Sequence, residues 1–231
     1  MKKLYKRFDI ILILLLIIVL LVVSQKTKSS FQVTNLESET EINLMDFQVY
    51  NSNVNDIYYN KIDNADTIFN ESPIIAKVKM TNEREYLNQC ILSTVDIVKV
   101  YKNTTNINLT NEMYIYEPTD VRSNELVMYT TNGYIPMISD NEYIVFLTPL
   151  KVPDGYRMSS VEEKSFMFYN AEMGKVSVNK LEPYITGEFD LTQMINNLVS
   201  YKDLINYDVI LDESKSTTYK EFKEKVYKNY N

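Results

Sequence analysis

The sequence predicts a mainly β domain with C-terminal helices, an antiparallel barrel or sandwich behind an N-terminal transmembrane helix. Three observations carry this. An unbroken run of Ile, Leu and Val fills residues 10–23 between basic flanks. From Pro73 to Pro149, apolar residues alternate with polar ones in short runs broken by Asn, Gly and Pro. Beyond residue 190 the apolar period lengthens to three and four.

The N-terminal segment comes first. Lys2, Lys3, Lys6 and Arg7 precede the apolar run, and Lys26 and Lys28 follow it. With its flanks the run spans roughly 25 Å as a helix, just under a hydrocarbon core of about 30 Å. Lysine and arginine side chains snorkel across such a gap. The basic excess ahead of the run holds residues 1–9 inside as a cytoplasmic tail. Residues 10–24 are therefore read as a signal anchor in the lipid bilayer. The alternative is a signal peptide cleaved near Ser24, where Val22 and Ser24 form the small-residue pair. The first reading gives a single-pass protein of the cell membrane with its C-terminal domain outside, the second a secreted one. Residues 25–41 are polar and aperiodic, a linker.

Residues 42–185 form the expected extracytoplasmic β domain. Ile74, Ala76, Val78 and Met80 alternate with Ile75, Lys77, Lys79 and Thr81, the pattern of a half-buried strand. Residues 81–89 read as a charged connection. Residues 91–101 read as a longer strand, and the adjacent Ile97 and Val98 predict a bulge that switches faces. Residues 113–116 form a short strand stopped by Pro118. A loop with Asp120, Arg122, Ser123 and Asn124 leads to a strand at 126–130. Asn132-Gly133 is a turn signal. Residues 143–147 are the most strongly β stretch. Pro149, Pro153 and Gly155 mark a loop, and residues 166–169 and 175–178 read as a hairpin.

Residues 186–231 read as helical. Asp190 with Gln193 opens one helix, with Leu191, Met194, Ile195, Leu198 and Val199 on one stripe. Thr218 with Glu221 opens a second, with Phe222, Val226 and Tyr230 on its apolar face. Both are expected to pack on the β domain.

Composition removes several chemistries. The chain has no His and a single Cys, Cys90. Triad catalysis through imidazole, His-ligated zinc, thiolate clusters and internal disulfides are all excluded. Cys90 is expected as a small buried core residue. An exported domain without disulfides suits a Gram-positive envelope. The net charge is −7; the first nine residues hold four bases and one acid, so the rest carries −10. Such a domain does not attract nucleic acid. With four Gly in all, no phosphate loop is present. No cofactor is expected.

One series of residues carries a resemblance. Val95-Asp-Ile-Val-Lys-Val-Tyr-Lys102 is followed by Met113-Tyr-Ile115, Gly133-Tyr-Ile-Pro-Met137 and Glu142-Tyr-Ile-Val-Phe-Leu147. It resembles exported bacterial OB-fold, netrin-like domains, whose barrel is similar to that of tissue inhibitors of metalloproteinases. The resemblance covers roughly residues 73–149. Asn103 and Asn141 stand where those domains carry Gly. The resemblance implies an OB-like barrel and a binding role. It does not imply protease inhibition, because those inhibitors ligate zinc through an N-terminal cysteine that this chain lacks.

The resulting expectation is a membrane-anchored binding module of the cell envelope and not an enzyme. Its partner is an envelope protein or ligand, met through loops holding Arg122, Ser123, Asn124, Pro149, Pro153 and Gly155. An exported hydrolase of cell-wall polymer, using carboxylates only, is one alternative. Asp120, Glu125, Asp140 and Glu142 are its acids if they share one end of the barrel. An envelope assembly factor is another. Asp63, Asn64 and Asp66 are close in sequence but form no calcium loop.

Overall fold

A computed structural model of the chain describes residues 43–52, 64–186 and 199–230, together with Leu16, Ile17 and Leu20. The chain divides into two units, Met1–Asn35 and Leu36–Asn231. In the first, Leu16, Ile17 and Leu20 are helical and exposed. The rest of the expected anchor (10–24) and the linker (25–41, in both units) lie outside the described residues. So does the Asp190-led helix up to Leu198. Among the described residues no helix is long and apolar enough to cross a membrane.

The second unit is mainly β. Its elements are β1 (Gln48–Ser52), α1 (Ala65–Glu71), β2 (Ile74–Leu87), β3 (Cys90–Asn103), β4 (Glu112–Glu117), β5 (Thr119–Arg122), β6 (Val127–Thr131), β7 (Glu142–Pro149), β8 (Ser165–Phe168), β9 (Lys175–Ser177), β10 (Glu182–Thr186), β11 (Val199–Ser200), α2 (Tyr201–Leu204), β12 (Tyr207–Asp212) and α3 (Ser216–Tyr230).

Five strands form a ladder that returns to its start. β2 pairs antiparallel with β3, and β3 with β4. β4 runs parallel to β8, β8 antiparallel to β7, and β7 antiparallel to β2, where Ile74 faces Leu147. The expected bulge is present. Lys77 opposes Lys99 and Val78 opposes Ile97, so Val98 is skipped; a second irregularity skips Tyr101. Ile74, Ala76, Val78 and Met80 join Val95, Ile115, Val145, Leu147, Phe166 and Phe168 in one buried cluster, as the alternation requires.

The opposite face of β2 and β7 is also buried. Ile75, Ile144 and Phe146 pack against α3 through Tyr219, Phe222 and Val226, with Ala65 and Ile68 of α1 beside them. The Phe146 and Phe222 ring centroids are 5.3 Å apart. The last helix therefore docks on the sheet. Its start differs from the expected Thr218 cap. Asp212 ends β12, and its Oδ1 accepts the Lys215 N–H at 3.2 Å. A 3-10 turn then leads into α3, so Thr218 is already helical.

A second, smaller sheet has the order β11-β1-β6-β5, with β1 parallel to β6. β10 runs parallel to β12. β12 meets the chain just beyond β6 at Gly133, whose carbonyl accepts the Ile210 N–H at 2.7 Å.

Several expectations are corrected. Residues 81–89 are not a charged connection between strands, because β2 runs on to Leu87 and turns at Asn88-Gln89. The charges fit a half-exposed ribbon, with Glu83 and Glu85 outward and Arg84 drawn inward to a carboxylate. Asp120 and Arg122 lie in strand β5, which pairs with β6, so the loop shrinks to residues 123–126. β8 and β9 form no hairpin. Both pair with β7, end to end, and residues 169–174 loop out between them. Phe146 closes the gap, with its O accepting from Tyr169 and its N–H donating to Gly174, both at 2.8 Å. The pairing is mixed rather than purely antiparallel. β8 reaches β4 only after the β7 crossover, which brings it alongside in the same direction. The segment beyond residue 185 is not all helical either. Val199 pairs with Val49 as strand. Cys90 is half-buried beside the β2–β3 turn, not a core residue.

Candidate functional site

Strand register assembles one outward face. Cross-strand partners share a side of the sheet. Leu92 is opposite Tyr116, Thr94 opposite Tyr114, and Asp96 opposite Glu112. Glu85 of β2 is opposite Leu92, and Met167 of β8 opposite Tyr116. Tyr114 and Tyr116 are half-buried on this face. α1 and α3 cover a different side of the ring, over β2, β7 and β9.

The loop between β7 and β8 borders this face. Every residue from Lys151 to Val161 is exposed. Four of them are large and apolar: Val152 at 39%, Tyr156 at 51%, Met158 at 37% and Val161 at 39% exposure. The loop is nonetheless tied down. The Tyr156 N–H donates to Pro153 O at 3.1 Å, across the turn that Gly155 permits at φ +81°. The Tyr156 hydroxyl donates to Glu162 Oε1 at 2.6 Å, and the Ser159 N–H to Glu162 Oε2 at 2.7 Å. These bonds, the backbone one to Ser159 foremost, hold the Glu162 carboxyl below its usual range. Exposed apolar residues grouped together are the feature by which interaction surfaces are recognised.

The tyrosines carry the mark of their acidic surroundings. The Tyr114 hydroxyl donates to Glu112 Oε1 at 2.9 Å, and that bond, followed by slight burial and the charges of Glu112 and Glu83, pushes the phenol up. Burial first, then Cys90, Glu162 and Glu85 as nearby charges, raise Tyr116. Burial and then Asp120 and Glu85 push the Cys90 thiol up to about 11, which keeps it protonated and unreactive at neutral pH.

The opposite side of β4 carries a buried polar network. Glu117 is fully buried. Its Oε2 accepts the Tyr134 hydroxyl and the Met137 N–H, each at 2.7 Å. Its Oε1 accepts the Ser93 hydroxyl and lies 3.5 Å from Arg84 Nη2. Arg84 also donates to the Met137 carbonyl. Both carboxylate oxygens are thus satisfied, the condition for keeping a charge out of water. Beyond Tyr134, Lys175 Nζ stands 4.8 Å from the Tyr134 ring centre and 5.3 Å from that of Tyr143, and donates to Asp208 O at 3.2 Å. Burial brings Lys175 down to about 8 despite the pull of Asp208 and Glu117. Asp208, pushed up by burial, faces Lys223 of α3 at 3.4 Å. Glu117, Lys175, Asp208 and Lys223 are all buried, which marks both clusters as interior structure.

The residues expected from sequence fall into two groups. Pro153 and Gly155 sit in the exposed β7–β8 loop, and Pro149 ends β7 at its base, opposite Phe166. Arg122, Ser123 and Asn124 belong to the β5–β6 hairpin instead. Arg122 Nε lies 3.2 Å from Asp120 Oδ2, and its guanidinium stacks 4.6 Å over Tyr129. Each group keeps its own contacts. The four acids weighed for hydrolysis each meet a base: Asp120 and Glu125 meet Arg122, Asp140 meets Lys79, and Glu142 meets Lys77. Asn64 caps α1, accepting from the Asp66 and Thr67 N–H groups, and Asp66 pairs with Lys225. Among the described residues no group of three or more His, Cys, Asp or Glu is placed to hold a metal ion.

Tyr114, Tyr116, Tyr156 and Met158 were not singled out by sequence, nor was Glu117. A signal existed. Met113, Ile115 and Glu117 alternate, so the period that buries the first two buries the third and turns Tyr114 and Tyr116 outward. The chain matches no protein-family model, no curated protein and no solved structure.

Proposed function

We propose that this chain is a membrane-anchored, extracytoplasmic binding module of the cell envelope, and that its five-stranded ring is an OB-like barrel. The barrel reading rests on a ladder of five strands that returns to β2, bulged at Val98, with helices packed outside. The anchor reading rests on residues 10–24 and their basic flanks. The binding reading rests above all on one observation. A pinned, wholly exposed loop holds Val152, Tyr156, Met158 and Val161 next to the outward tyrosines of β4. The partner is an envelope protein that covers this loop.

The test is site-specific photo-crosslinking in intact cells, with the crosslinker at Met158 and a control at Lys228 on the exposed side of α3. A discrete protein adduct from position 158 alone is the expected result. Equal or absent adducts at both positions would overturn the reading.

A further inference from the structure

We infer that the partner meets this face with a lysine- or arginine-bearing polypeptide segment. This rests on the binding reading above and adds the chemistry of what binds. The face built on β2, β3 and β4 presents Glu85, Asp96 and Glu112, with Glu83 near Tyr114 and Glu162 at the loop beside it; Lys79 stands opposite Asp96 at the edge of this face and is already paired with Asp140. The tyrosine hydroxyls nearest solvent are already committed, Tyr114 to Glu112 and Tyr156 to Glu162. The groups left to offer are carboxylate lone pairs and the π faces of tyrosine rings. Both attract ammonium and guanidinium groups. Both repel phosphate and carboxylate.

The displaced acidities agree with this geometry. Tyr114, Tyr116 and Cys90 are all moved upward in part by surrounding carboxylates, the mark of a negative potential over the face. Complementary charge sets which partner docks and how fast. The loop adds the apolar half of the contact through Val152 and Met158. A strand-like segment alternating basic and apolar residues satisfies both halves.

The experiment uses the full chain, immobilised by a C-terminal tag, and two ten-residue probe peptides, one alternating Lys and Val and one alternating Glu and Val. The Lys peptide is expected to bind and the Glu peptide not to. Raising salt from 50 to 300 mM weakens the Lys peptide severalfold. Glu85→Gln with Glu112→Gln weakens it about tenfold, as does Tyr116→Ala, whereas Glu221→Gln with Glu224→Gln on α3 leaves it unchanged. Equal weakening by the two double variants would reduce the effect to net charge and overturn the proposal, as would binding of both peptides or neither. Competition separates this proposal from the one it rests on. If the Met158 crosslink to a cellular protein persists in excess Lys peptide, the binding face stands and the basic-segment chemistry falls. If no crosslink forms at all, the binding reading itself has failed.

Discussion

Arg84 Nη2 lies 3.5 Å from Glu117 Oε1, and the carboxylate it faces is wholly out of water. The two residues come from β2 and β4, on either side of β3. Their pairing ties the far end of the long β2–β3 ribbon to the ring. It also holds the Met137 backbone between them, since Glu117 accepts its N–H and Arg84 donates to its carbonyl.

Removing only the arginine leaves a buried charge without its counter-ion. Glu117→Gln likewise leaves the Arg84 guanidinium without its partner charge, so each of Arg84→Met and Glu117→Gln is expected to cost about 3–5 kcal/mol. Urea unfolding of both variants checks this. A loss below about 1 kcal/mol for either would contradict it.

Lys175 gives stability a distinctive pH dependence. Its folded pKa of about 8 lies below the ordinary 10.5, so the unfolded chain binds the proton more tightly. Its contribution is fully present above 10.5 and is lost as pH falls through 8, so it makes stability rise between those values. The rise is up to about 3 kcal/mol for a group this deeply buried. Tyr143 acts in the opposite sense. Burial raises it to about 12, so its contribution is present below pH 10 and is lost as pH climbs through 12. Unfolding midpoints measured from pH 7 to 10 should rise for the native chain and stay flatter for Lys175→Met. Parallel curves would contradict the assignment.

Two glycines with the same backbone sign should respond differently to alanine. At Gly133, φ +77°, an added Cβ would lie 1.7 Å from the Ile210 carbonyl oxygen. At Gly155, φ +81°, it would meet nothing within 4 Å. Gly155→Ala is expected to cost about 1–2 kcal/mol from the backbone alone. Gly133→Ala must also push β12 away from residue 133 and costs clearly more. Melting temperatures of the two variants decide this.

The docking of α3 has its own test. Phe222 is fully buried against Phe146, and Lys220 is exposed two residues earlier. Phe222→Ala should cost about 3–5 kcal/mol. Lys220→Ala should stay within about 0.5 kcal/mol. Similar small losses for both would mean that the helix is not held.

The parts of this fold legible in the sequence are those with a local cause. The alternation of β2, the bulge at Val98, the Asn132-Gly133 turn and the apolar stripe of α3 each follow from neighbours a few residues apart. What stayed hidden depends on distant partners. Asn170 and Gly174 look like a hairpin turn, yet β8 and β9 share β7 as their partner and never pair with each other. The parallel contact of Ile115 with Phe166 has no local signature. The site shows the same division. The β7–β8 loop was marked by Pro153 and Gly155. Tyr116 lies near it because register places β4 beside β8, and Arg122 does not, because it belongs to strand β5 paired with β6.

Lys225 of α3 reaches Asp66 of α1 across 159 residues of sequence. A chain made from its N-terminus onward therefore presents Ile75, Ile144 and Phe146 bare until α3 emerges to cover them. Closure of this face waits for α3, and until then the β body offers a sticky apolar strip to any chaperone or neighbouring chain within reach. Early termination before Ser216 would yield a product prone to capture or degradation rather than a smaller working domain.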